Sequence, residues 1–116
     1  EYCKLHEDDS GYTHQVDHVV SRKHGGHTVL DNLAFCCIVC NRFKGSDIAS
    51  LDSQGRAVRF FNPRSDRWED HFEVSGSHIF PRTETGEATI RILQMNSMER
   101  IEERHNLQIL GTYPRQ

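Results

Sequence analysis

The chain has 116 residues and a mass of 13.4 kDa, with 35% hydrophobic and 27% charged positions. A length in the range of about 100–200 residues fits one domain, and a core this small gains from an added staple. The net charge of −3 excludes a uniformly basic nucleic-acid binder. No run of about 18 apolar residues and no signal-type N-terminus is present, which argues against membrane insertion and secretion and makes a cytoplasmic protein the expectation.

The elements follow in chain order. Gln15-Val16-Asp17-His18-Val19-Val20 has the β-branched density of a strand that stops at the polar Ser21-Arg22-Lys23 run. Gly25-Gly26 marks a tight turn. Thr28-Val29-Leu30 and Leu33-Ala34-Phe35 flank Asp31-Asn32 as the two arms of a hairpin return. From Cys37 the apolar positions Ile38, Phe43, Ile48 and Leu51 have helical spacing, with Gly45 and Ser46 ending the helix.

A glycine-containing charged stretch over 52–56 precedes a second segment. Val58 to Phe61 alternates weakly as a strand, Asn62-Pro63 turns, and Trp68, His71 and Phe72 either pack a helix against the core or form an aromatic platform for bases. Ser75-Gly76-Ser77 reads as a hairpin turn and Ile79-Phe80 as a strand. Ala88, Ile92 and Met95 mark one helix; Asn96 with Glu99 resembles the cap of another, with Met98 and Ile101 inward and Arg100, Glu102, Glu103 and Arg104 solvated. The organisation expected is a core over 1–52 with an extension over 53–116 packed on the same domain.

Four residues carry the first candidate site. Asp17 offers a carboxylate oxygen suited to Mg²⁺, and the adjacent His18 an imidazole, a side chain suited to general-base work on water. Neighbours on a strand face opposite sides, so both serve one site only where the strand ends or bends. Asn32 and Asn41 can bind a hard cation through the amide oxygen or hold a loop through backbone bonds. A surface aspartate and a core histidine are the plainer alternative.

The thiols are Cys3, Cys36, Cys37 and Cys40. Cys37-x₂-Cys40 suits structural zinc better than a disulfide framework, and Cys3-x₂-His6 offers the matching pair upstream, with Cys36 left as a core thiol. The chain starts at Glu1 without a Met, so a preceding residue could stand in for His6. Arg22, Lys23, His24, Arg42 and Lys44 form local basic patches that can contact DNA phosphates or stand as solvated surface.

The run Val16-Asp17-His18-Val19, Gly25-Gly26, Asp31-Asn32-Leu33-Ala34 and Cys37-x₂-Cys40-Asn41-x₂-Lys44-Gly45 resembles an HNH endonuclease of the ββα-metal class. The resemblance covers Tyr2 to about Leu51. Phe61-Asn62-Pro63-Arg64 with Trp68-x₂-His71-Phe72 is similar to the tail of a bacterial subgroup. It implies an α+β fold with a small, treble-clef-like ββα-metal core and a C-terminal strand and helix extension. It also implies hydrolysis of DNA phosphodiester bonds, by nicking or double-strand cleavage. In that reading His18 is the general base, Asn32 orients its loop, and Asp17 and Asn41 hold one divalent ion. The last motif position is Asn41 in place of histidine, an H-N-N variant, which favours Mg²⁺ or Mn²⁺ over histidine-preferring ions. Zinc on Cys3, His6, Cys37 and Cys40 is the structural metal implied. DNA is the partner and a homodimer is allowed. The competing readings are a catalytically inactive zinc-stabilised DNA- or protein-binding module and a secreted disulfide-linked toxin.

Overall fold

The computed structural model describes residues 1–115. It is an α+β fold of three two-stranded antiparallel sheets and four α-helices. Strand β1 (Gln15–His18) pairs with β2 (Leu33–Cys36), with Asp17 opposite Ala34 and His18 opposite Leu33. Asp17, Ala34 and Cys36 are buried, whereas Val16 and Phe35 are exposed, so the hairpin keeps one face inside and one out. Helix α1 (Ile38–Lys44) starts immediately after β2 with Cys37 as its cap, and it stops at Gly45, whose φ of 52° suits a residue without a side chain.

The second half opens with β3 (Ala49–Leu51) against β4 (Ala57–Arg59). Short helix α2 (Trp68–His71) runs into the hairpin of β5 (Phe72–Ser75) and β6 (His78–Pro81). Helices α3 (Glu84–Ile92) and α4 (Met98–Ile109) complete the chain. One buried cluster joins Tyr2, Ala34 and Cys36 to Phe61, Phe72, Ile79, Ala88, Leu93 and Met95, so the two halves share a core. Phe61 packs edge-on to Phe72 at 5.2 Å between centroids, and Trp68 lies against Phe72 while donating from Nε1 to Tyr2 O. Among the described residues no helix is long and apolar enough to cross a membrane.

Three local expectations change. Thr28-Val29-Leu30 is not a strand arm: Leu30–Asn32 is a 3₁₀ turn, and β2 pairs back to β1 across the whole intervening loop. The Asn32 side chain is engaged with backbone on the far side of that loop, which holds the turn instead of letting it extend. Ser97 caps α4, while Asn96 bonds both the N–H and the C=O of Ile79 and fastens α4 to β6. On α4 itself, Met98 is 78% exposed and Arg100 and Arg104 are buried. Backbone carbonyls of Leu93, Met95 and Ser77 accept from the two guanidiniums, so the inward face of α4 is a polar clamp on chain ends that an apolar residue would leave unsatisfied.

The turn after β4 rests on Asp66, which accepts from Arg59 Nη1 at 2.6 Å and Nη2 at 3.2 Å and from the Asn62 N–H. The Arg59 guanidinium holds the Asp66 carboxyl below the usual carboxylate range. A depressed folded-state value adds stability above the unfolded carboxylate range of about 4, and that stability fades as pH falls through the folded value. Asp66→Asn should therefore lower Tm at pH 7, and the gap from the parent should narrow as pH falls towards 3 in thermal denaturation.

Candidate catalytic cleft and thiol centre

The loop joining β1 to β2 is tied to its own base. Val19 N–H donates to Asn32 O at 2.9 Å, Val20 N–H donates to Asn32 Oδ1 at 2.9 Å, and Asn32 Nδ2 donates to Val20 O at 2.8 Å and His27 O at 2.9 Å. One carboxamide thus closes the loop with three hydrogen bonds. Gly26 sits so close to Val20 O and Asn32 Nδ2 that a β-carbon there would overlap both. The closed loop brings Thr28 to His18, whose Nε2 hydrogen-bonds Thr28 Oγ1 at 2.9 Å.

His18, Asp17 and Asn41 line one open cleft of about 320 Å³, together with Ser21, Arg22 and Ser46. His18 closes β1, which is where two successive side chains can reach one space. Asn41 comes from the middle of α1, and its Nδ2 donates to Gln15 Oε1 at 2.7 Å. That bond orients the carboxamide and leaves Oδ1 without a partner among the described residues. Gln15 is a site residue that the sequence reading passed over, as is Thr28; both lack a motif signal because their role depends on cross-strand and cross-loop contact.

Asp17 is more enclosed than a surface ligand would be, at 5% exposure. The Tyr2 hydroxyl donates to Oδ2 at 2.8 Å, and Lys44 Nζ lies 3.2 Å from Oδ1 and 3.1 Å from Oδ2 while also donating to His18 O at 3.1 Å. Burial, with the Asp17 charge beside it, pushes the Tyr2 hydroxyl far above its ordinary range and keeps it a donor. Lys44 is 1% exposed, which corrects the expectation that it contacts DNA. Its ammonium is drawn inward because a buried carboxylate needs a cation. Arg22, Lys23, His24 and Arg42 remain exposed, Arg22 at the cleft itself.

The sulfur atoms of Cys3, Cys37 and Cys40 all lie within 4.8 Å of one another, with Cys3 and Cys37 at 3.6 Å. Tetrahedral zinc thiolates with bonds of about 2.3 Å place sulfurs about 3.8 Å apart, so the cluster fits such an ion. Hydrogen bonds from the Cys37 and Cys40 thiols hold Cys3 well below the ordinary thiol range. His6 is not in the cluster: its Nδ1 accepts from the Asp8 N–H as the cap of the Glu7–Asp9 turn, and its ring is half-exposed. The spacing matched, but the turn that follows Leu5 spends the imidazole on its own backbone. Cys36 is fully buried, and burial pushes its thiol up to about 12.

Residues 1–47 match the family model described as HNH endonuclease. The match spans less than half of the chain and makes this segment similar to HNH endonucleases. No curated protein and no solved structure matched the chain. The match points to a nuclease or nucleic-acid-binding role for this segment, and the three-cysteine cluster can hold a metal such as zinc. Within the HNH segment the structure gathers Asp17, His18 and Asn41 at one cleft, puts Asn32 at the base of the loop, and withdraws Lys44 into the interior.

Removing Lys44 leaves Asp17 as an uncompensated buried charge. Lys44→Met should cost about 3–5 kcal/mol in urea denaturation. Adding Asp17→Asn to it should cost less than the sum of the two single changes, because the pair is coupled.

Proposed function

We propose that this protein is a metal-dependent endonuclease that hydrolyses DNA phosphodiester bonds, with His18 as general base and one hard divalent ion, Mg²⁺ or Mn²⁺, held by Asp17 and Asn41. The observation that carries this reading is the shared cleft, in which an imidazole anchored through Nε2 adjoins a carboxylate and a carboxamide whose oxygen is unpartnered. An oxygen donor set of this kind suits a hard cation that keeps several waters. Asp17 Oδ1 carries a single hydrogen bond, from Lys44, and so has capacity for a further contact.

In this mechanism Nε2–H of His18 donates to Thr28 Oγ1, which leaves the lone pair on Nδ1. Nδ1 accepts the proton of a water as that water attacks phosphorus, the P–O bond opposite the water breaks, and the leaving oxygen takes a proton from solvent. The ion, when bound, supplies charge stabilisation at the scissile phosphate. Asn32 keeps the His18 loop closed, Gln15 aims Asn41, and Lys44 fixes both the Asp17 carboxylate and the His18 carbonyl. Arg22 at the cleft, with Lys23, His24 and Arg42 on the exposed surface, receives the DNA backbone. Zinc on Cys3, Cys37 and Cys40 has a structural role, pinning the N-terminal segment to the start of α1.

One observation favours a second reading, a zinc-stabilised DNA-binding module without catalysis: Asp17 is already engaged by Lys44 and Tyr2. Plasmid cleavage separates the two. The endonuclease nicks or linearises plasmid with Mg²⁺ or Mn²⁺ and not with EDTA; a binding module shifts DNA in a gel under every condition and never cuts.

His18→Ala should retain DNA binding in a gel-shift assay and lose about 10²–10⁴-fold in cleavage rate. Cleavage at the parent rate would reject His18 as the base. Thr28→Val keeps the shape of the loop but removes the partner of Nε2. Its single-turnover rate should fall between those of the parent and His18→Ala, with a displaced pH–rate profile and unchanged DNA affinity.

A further inference from the structure

Helix α4 delivers a buried cation to the thiol centre. Arg100 is 7% exposed, and among the described residues no carboxylate pairs with it. Nη1 donates to Leu93 O at 3.0 Å, while Nη2 reaches Cys40 Sγ at 3.2 Å and Cys37 Sγ at 3.5 Å. A guanidinium taken out of water needs an anion or a full set of acceptors, and the sulfur atoms are what this one meets. The approach is reinforced from the chain end, where the Tyr113 hydroxyl donates to Cys3 O at 2.6 Å. Both contacts run from the extension to the HNH segment, to residues separated from them by 60 positions or more in sequence.

We propose that Arg100 is an outer-sphere positioning residue for a zinc ion held by Cys3, Cys37 and Cys40, so that metal loading and docking of α4 are one linked event. This rests on the reading of the cluster as a zinc site. Three thiolates around a divalent ion leave one negative charge, and a single guanidinium cancels it. The N–H···S bonds draw electron density from the sulfurs of Cys37 and Cys40 and fix their rotamers, the two things that outer partners do for metal ligands. Without the ion, the sulfurs that Arg100 faces are no longer held in place, and α4 loses part of its anchorage to the HNH segment.

The test uses the full chain and Co²⁺ as a spectroscopic probe, with zinc affinity measured by competition against a chromogenic chelator. Arg100→Met should weaken zinc binding about 10–100-fold and shift the sulfur-to-Co²⁺ charge-transfer band to lower energy, because the sulfurs become better donors. Arg104→Met is the control: it removes an equally buried guanidinium from the same helix, one bonded only to the carbonyls of Ser77 and Met95. It should leave the band position unchanged and cost clearly less affinity than Arg100→Met, since it weakens the docking of α4 without touching a sulfur. In the parent protein, chelating zinc should accelerate amide exchange across Met98–Arg104.

Parent-like affinity and band position in Arg100→Met would overturn the proposal while leaving the zinc site intact. An equal loss in Arg104→Met would overturn it too, by showing that any weakening of α4 suffices. A parent chain that gives no thiolate-to-Co²⁺ band would overturn both the proposal and the zinc reading. Should Arg100→Met not fold, Arg100→Lys decides: a shorter reach to the paired sulfurs should lower affinity and move the band, and parent values for both would reject the role.

Discussion

Asp17 and Lys44 bury opposite charges against each other where β1 meets the last turn of α1, and the site depends on that contact. A carboxylate at 5% exposure is tolerable only because an ammonium and a phenol hydroxyl satisfy it. The same ammonium bonds the His18 carbonyl, so the pair sets the distance between the strand that carries His18 and the helix that carries Asn41. Tyr2 adds the N-terminal segment to the arrangement. A cleft built this way holds its side chains by buried electrostatics on one side and by the Asn32 loop closure on the other.

The thiol centre repeats the same logic at the opposite end of α1. Cys3, Cys37 and Cys40 bring the N-terminal segment to the start of the helix, and Arg100 and Tyr113 bring the extension to the cysteines. Buried polar groups therefore connect the HNH segment to the second half alongside the contacts of Tyr2 with Phe61 and Trp68. Such contacts tolerate little displacement, since a shift leaves a donor or a charge unsatisfied in the interior.

Much of the cleft was legible in the sequence. Asp17-His18, Asn41 and the CxxC stand in a motif whose residue types are tied to one another by short spacing, and local turns at Gly25-Gly26 and Gly45 follow from backbone geometry that other residues resist. Thr28 and Gln15 escaped because each acts on a neighbour brought to it by β1 pairing or loop closure, and nothing about an isolated threonine or glutamine signals that. The extension was read less well. Met98 and Ile101 have the helical spacing of a buried stripe and Arg100 and Arg104 the composition of a solvated one, yet the arginines face inward. Periodicity weighs hydrophobicity; it does not see carbonyls and sulfurs waiting on the other side.

The sequence by itself determined the α+β class, the strand around Asp17, the strand from Leu33 and the helix after Cys37, the motif that holds Asp17, His18 and Asn41, and the thiol pair at the start of α1, because each is encoded by contiguous or closely spaced residues with strong local chemistry. Tertiary structure decided the rest: that Lys44 turns inward to Asp17, that His6 caps its own turn instead of joining the cysteines, and that α4 presents a guanidinium to the sulfurs. Those outcomes depend on which buried charge or unpaired donor finds a partner, and partners distant in sequence are chosen only when the chain is folded.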